Sequence, residues 1–86
     1  MARKTAQKIQ KLLRDGLFRY SIHCDQTRMH PVVTDEDIRN VGRTAHTTKL
    51  QSNGGYKVIG YDETELELTV VCRLTKSENL LIITVF

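Results

Sequence analysis

The chain has 86 residues, 40% of them hydrophobic and 27% charged, and a formal net charge of +3. That length supports one core and one domain, and the composition excludes a disordered chain. No segment approaches the roughly 18 consecutive apolar residues that a membrane-spanning helix needs.

The opening residues MARKTAQKIQKLLRDG are basic but lack the contiguous apolar stretch of a secretory signal, so a cytoplasmic protein is expected. Ala6, Ile9, Leu13 and Leu17 recur at +3, +4 and +4, which lines up one apolar face of a helix. That helix is predicted from about Ala2 or Arg3 to Asp15, with Gly16 closing it. Lys4, Lys8 and Lys11 fall on the opposite face. Phe18, Tyr20 and Ile22 alternate with Arg19 and Ser21 and predict a short extended piece. Ser21 is placed to cap a brief helix through HCDQTRMH, which must end by Pro31 because the residue before proline avoids the α region. Thr34 ahead of Asp35, Glu36 and Asp37 is a stronger start signal, since acidic side chains suit the positive end of a helix. This helix is expected to carry Ile38 and Val41 inward and to fray near Gly42.

From Thr44 the pattern changes to strands. Residues 44–51 are rich in threonine, Ser52-Asn53-Gly54-Gly55 is a turn signal, and Tyr56 to Tyr61 is a second strand. After Asp62-Glu63-Thr64, residues 65–74 alternate, with Leu66, Leu68, Val70, Cys72 and Leu74 on one face and Glu65, Glu67, Thr69, Val71 and Arg73 on the other. A further turn, Lys76-Ser77-Glu78-Asn79, leads to Leu80–Phe86, which is apolar on both faces, as suits a strand covered on both sides or set in the middle of a sheet. The expectation is an α+β domain: a four-stranded antiparallel meander with the helices on one face.

Charge is unevenly spread. Residues 1–57 hold 11 Lys/Arg against 5 Asp/Glu, whereas residues 58–86 hold 2 against 5. The first part is therefore suited to meeting an anion. Gly54-Gly55 belongs to a hairpin turn and not to a phosphate loop, and no zinc or Ser-His-Asp pattern is present. A metal site from His23, Cys24, Cys72 and His30 or His46 is awkward, because adjacent His23 and Cys24 point to different sides. Cys24 and Cys72, far apart and without CxxC spacing, are expected as free thiols in a reducing compartment, with a Cys24–Cys72 disulfide as the alternative. His23, Arg28, His30, Arg43, His46 and Lys49 supply what metal-free cleavage of RNA requires: a proton-transfer group of near-neutral pKa and permanent cations for the phosphate. Arg28 has a competing use, a salt bridge to Asp25 or to the Asp35–Asp37 cluster.

The stretch YSIHCDQTRMHPVVTDEDIRNVGRT resembles the opening motif of a widespread bacterial family of unknown function. Its pattern is Ser-x-His-Ala, one or two arginines in the next turns, and then an apolar-Thr/Ser-x-x-acidic-Ile/Val helix. GYKVIGYDETELELTVVCRLTKSENLLIITVF resembles that family's closing sheet, with its Ile-Thr-Val-aromatic last strand. Together the two stretches cover about residues 20–86. The family is grouped with the RelE-like and barnase-like small ribonuclease toxins, which pack one or two helices on a four-stranded antiparallel sheet. The resemblance implies that His23 is the family histidine, that Arg28 stands approximately for the first arginine, and that Thr84 is the threonine of the last strand. Three departures accompany it: Cys24 stands for the alanine, Arg28 falls one residue late, and Pro31 occupies about the place of the second arginine.

Three functions follow as expectations. One is a toxin-like, metal-independent, cofactor-free ribonuclease, with His23 as acid or base and Arg28, joined by Arg43 or Lys49, on phosphate. Another is a binding module whose Lys4, Lys8 and Lys11 face, or a sheet edge, engages nucleic acid or an antitoxin-like protein. The last is self-association into a homodimer through the apolar LLIITVF strand.

Overall fold

The computed structural model describes residues 3–21, 33–52 and 54–86, omitting the side chains of residues 3 and 4. Helix α1 runs Arg3–Arg14. Its buried stripe is Ile9 and Leu13, with Leu12 packed against the core at its margin. Leu17, expected on that stripe, is 61% exposed, because the helix ends three residues before it. Gly16 takes φ +75°, its amide donates to Leu13 O at 3.1 Å, and the Leu17 amide donates to Leu12 O at 2.9 Å. This pair of bonds closes the last turn around a left-handed glycine.

Helix α2, Asp35–Thr44, starts where Thr34 predicts. Thr34 Oγ1 accepts from the Asp37 amide at 3.2 Å, and Asp37 Oδ2 accepts from the Thr34 amide at 3.0 Å. Two otherwise orphaned amides are thereby satisfied reciprocally. Asp37 Oδ1 also accepts from the Glu63 amide at 3.1 Å, which ties the start of α2 to a turn of the sheet. Thr34→Ala is expected to cost about 1 kcal/mol of folding stability in urea melts. An unchanged midpoint would mean that the cap is idle. The helix does not fray at Gly42 but continues two residues beyond it. Gly42 is buried, and a Cβ there would lie 2.4 Å from Arg14 N and 2.8 Å from Gln10 O. The glycine is a helix–helix contact point, not a stop.

Strands are β1 Phe18–Tyr20, β2 Thr47–Leu50, β3 Tyr56–Tyr61, β4 Glu67–Leu74 and β5 Leu80–Val85. Their order is β1-β5-β4-β3-β2. The four strands β2 to β5 pair antiparallel in sequence, as expected. The expected four-stranded antiparallel sheet is nevertheless corrected to a five-stranded mixed one. Phe18, Arg19 and Tyr20 pair in parallel with Leu80, Leu81 and Ile82, and the Ser21 amide extends the ladder to Ile82 O at 2.9 Å. With β1 on one side and β4 on the other, β5 is an interior strand, one of the two positions its apolar pattern suggested.

Both helices pack on one face of the sheet. Ile9, Leu13, Val33, Ile38 and Val41 meet Val58, Leu68, Val70, Cys72, Leu80, Ile82 and Val85 in a single cluster. Gly60 lets β3 approach α2, since a Cβ there would sit 2.7 Å from Val41 O. Leu66, expected inside, is 67% exposed. It precedes β4 in a turn where Glu65 adopts φ +70°, and this left-handed residue breaks the alternation. Among the described residues no helix is long and apolar enough to cross a membrane. The brief helix expected through HCDQTRMH lies outside the described residues.

Candidate functional site

Because side chains alternate along a strand, the register that buries Val58, Leu68, Val70 and Cys72 turns their neighbours to the outer face, away from the helices. That face carries Lys49 from β2, Lys57, Ile59 and Tyr61 from β3, and Glu67, Thr69, Val71 and Arg73 from β4. Leu81 and Thr84 of β5 and Arg19 of β1 complete it. Thr48, between the outward Thr47 and Lys49, confirms the parity, because its hydroxyl accepts from Gln10 Nε2 of α1 at 3.0 Å.

Lys49 lies directly opposite Lys57 across the β2–β3 ladder, and Lys57 lies opposite Val71. At the other end, Arg19 and Arg73 both pair with Leu81, one from each side. Four cations from four strands thus share one face with a single strand carboxylate, Glu67. Arg19, Lys49 and Arg73 are exposed, and Lys57 is half-buried. Phe86 follows β5 and continues its pairing, since its amide donates to Thr69 O at 2.9 Å and the Thr69 amide donates to Phe86 O at 2.8 Å. Its ring is 57% exposed, and Lys57 Nζ stands 5.7 Å from the ring centroid. Tyr61, 36% exposed, is the second aromatic of this face.

Beside Tyr61 stands His46, whose ring centroid is 5.7 Å from the tyrosine's. His46 Nδ1 is 2.8 Å from Thr47 Oγ1, and Nε2 is 3.4 Å from Glu67 Oε2. The imidazole is therefore held between a hydroxyl and a carboxylate at the acidic end of the face. Glu67 is open to solvent, and Thr47 is half-buried.

The other sequence-derived candidates do not converge with Lys49. Lys8 is bonded to Glu78 at 2.8 Å across the β4–β5 turn, and this contact holds the Glu78 carboxyl below its ordinary pKa. Lys11 is exposed on α1. Arg43 Nη1 is 3.9 Å from Glu36 Oε2 on α2. Both helices lie across the sheet from Lys49, so these cations do not form one patch with it. The Lys4 side chain, His23 and Arg28 lie outside the described residues. Thr84 falls on the outer face opposite Val71. Arg19, Lys57, Tyr61 and Phe86 join this face without being singled out by motif or charge pattern. Strand parity extended from β4 to its neighbours is the signal that would have found them.

Cys72 is a free, buried thiol, and burial pushes its pKa up to about 12, which leaves it protonated and inert. Asp62 is a turn residue: hydrogen bonds from the Thr64 hydroxyl and from the Leu66 and Thr64 amides hold its carboxyl below the ordinary value, outweighing the opposing effect of desolvation. Among the described residues no group of three or more His, Cys, Asp or Glu is placed to hold a metal ion. Among the described residues, one shallow cleft lies beside the α1–β1 connection and another between Asn40 and Thr44 of α2 and the end of β3. The first, of about 280 Å³, includes Arg19, and the second, of about 350 Å³, includes Tyr61 and Glu65.

Against protein-family models, curated proteins and solved structures the chain gives no match.

Proposed function

We propose that this protein is an RNA-binding domain of the small, toxin-like ribonuclease kind, which meets the phosphate backbone with the outer face of its sheet. The observation that carries the reading is Lys49 standing directly opposite Lys57 while Arg19 and Arg73 occupy the same face. Like charges placed opposite each other on a sheet destabilise it by up to about 1 kcal/mol. A phosphate lying between such side chains turns that repulsion into attraction. Anisotropy titrations with labelled RNA at several salt concentrations test the reading. Four phosphate contacts on a single strand predict a log–log salt slope of about −3. A slope near zero would contradict it and favour a protein partner, such as an antitoxin-like chain.

A cleaving activity is the second reading, favoured by the His46–Glu67 contact on the same face. Metal-independent cleavage moves the 2′-hydroxyl proton to a base, forms the bond from that oxygen to phosphorus, and releases the 5′-oxygen with a proton from an acid. Cations stabilise the charge on the pentacoordinate phosphorus. Imidazole and carboxylate are suited to the two proton roles. The resemblance assigns the histidine role to His23, with Arg28 on phosphate, in a cytoplasmic toxin. Incubating RNA with the protein in excess chelator should yield 2′,3′-cyclic phosphate ends. Loss of cutting in His23→Ala alone would support the resemblance, and loss in His46→Ala alone would support the described pair. Equal cutting by wild type and both variants would remove both histidines from the mechanism.

A further inference from the structure

The outer face presents more than charge. Phe86 and Tyr61 expose aromatic area on it, and nothing about phosphate binding requires a ring. Duplex RNA hides the faces of its bases within the stack, so a surface for duplex alone gains little from exposed rings. Unpaired bases offer π-faces that stack on phenyl and phenol rings whatever their sequence. Phe86 stands directly beside a cation, with Lys57 Nζ 5.7 Å from its centroid, so ring and charge act at one position. Tyr61 lies one row further along β3 and two strands across, on the far side of the Thr69–Ile59 pair. Strand spacing and rise put the two rings on the order of 12 Å apart, too far for one base and suited to separate nucleotides of one strand.

We infer that Phe86 and Tyr61 are base-stacking subsites, and that the RNA taken by this face is single-stranded, with Arg19, Lys49, Lys57 and Arg73 on its phosphates. The inference rests on the RNA-binding reading and adds the substrate class and the residues that select it. The occupant follows from charge complementarity, four cations against one strand carboxylate among the described residues, together with the exposed rings in the rows beside them, Phe86 next to Lys57 and Tyr61 opposite Glu67.

The test compares an unstructured oligouridylate with a duplex RNA of equal length. Phe86→Ala should weaken binding of the single strand by about tenfold while leaving duplex binding and the salt slope unchanged. Phe86→Tyr should restore it. The chain contains no tryptophan, so Phe86→Trp introduces a sole reporter whose fluorescence should be quenched as oligouridylate saturates the protein. Unaltered single-strand affinity in Phe86→Ala, or an unquenched Phe86→Trp at saturation, overturns the stacking inference while salt-dependent RNA binding stands. Failure of the wild type to bind either RNA overturns the RNA-binding reading and this one with it.

Discussion

Gly42→Ala is expected to destabilise the fold by about 3 kcal/mol, lowering Tm on the order of 15 °C for a domain of this size. The sign is the informative part. In an open helix interior, alanine in place of glycine stabilises by about 1 kcal/mol, because glycine has the greater backbone freedom to lose. Here the added methyl would meet Arg14 N at 2.4 Å, Gln10 O at 2.8 Å and Leu13 Cβ at 2.8 Å. Two of the three are backbone atoms of α1, which cannot swing aside like the end of a long side chain. The helices would have to part, loosening Ile9 and Leu13 from the core. A Gly42→Ala protein as stable as wild type in urea would contradict this close α1–α2 contact.

Lys57→Glu should separate binding from folding. Reversing the charge at the centre of the outer face removes one phosphate contact and repels the next, so RNA affinity should fall at least tenfold and the salt slope should flatten by about 1. Folding should hardly change. The Lys49–Lys57 repulsion becomes an attraction worth a few tenths of a kcal/mol, offset by loss of the cation–ring contact with Phe86, itself about 0.5 kcal/mol. Lys11→Glu changes net charge by the same amount on the helix side and should leave affinity within about twofold, apart from a weak long-range effect. Equal losses in the two variants would mean that overall charge, not this face, binds the polyanion.

The sequence made some parts of this architecture legible because their causes are local. Thr34 and its acidic run set the start of α2 by side-chain to amide bonds three residues apart. Alternation in residues 67–74 gave β4 its inward and outward sets. Where the cause is non-local, the same reasoning fell short. Three residues of β1 form a strand only because β5 lies parallel beside them, a partner more than 60 positions away in the chain. Gly42 carries the local mark of a helix end, and only the backbone of α1 explains why it sits inside one. The outer face had the same difficulty, since its four cations come from four strands and meet through register alone. Lys8 and Arg43 drew attention as cations, yet each has a carboxylate beside it in the folded chain.

Whether an RNA lies on the sheet or on the helices is best tested by following side-chain NMR signals while oligouridylate is titrated in. The Lys49 and Lys57 ammonium-bearing methylenes and the Phe86 ring should shift and saturate together, while those of Lys8 and Lys11 stay in place. Shifts confined to α1 and α2, with Lys49, Lys57 and Phe86 unmoved at saturation, would contradict the assignment of binding to the outer face.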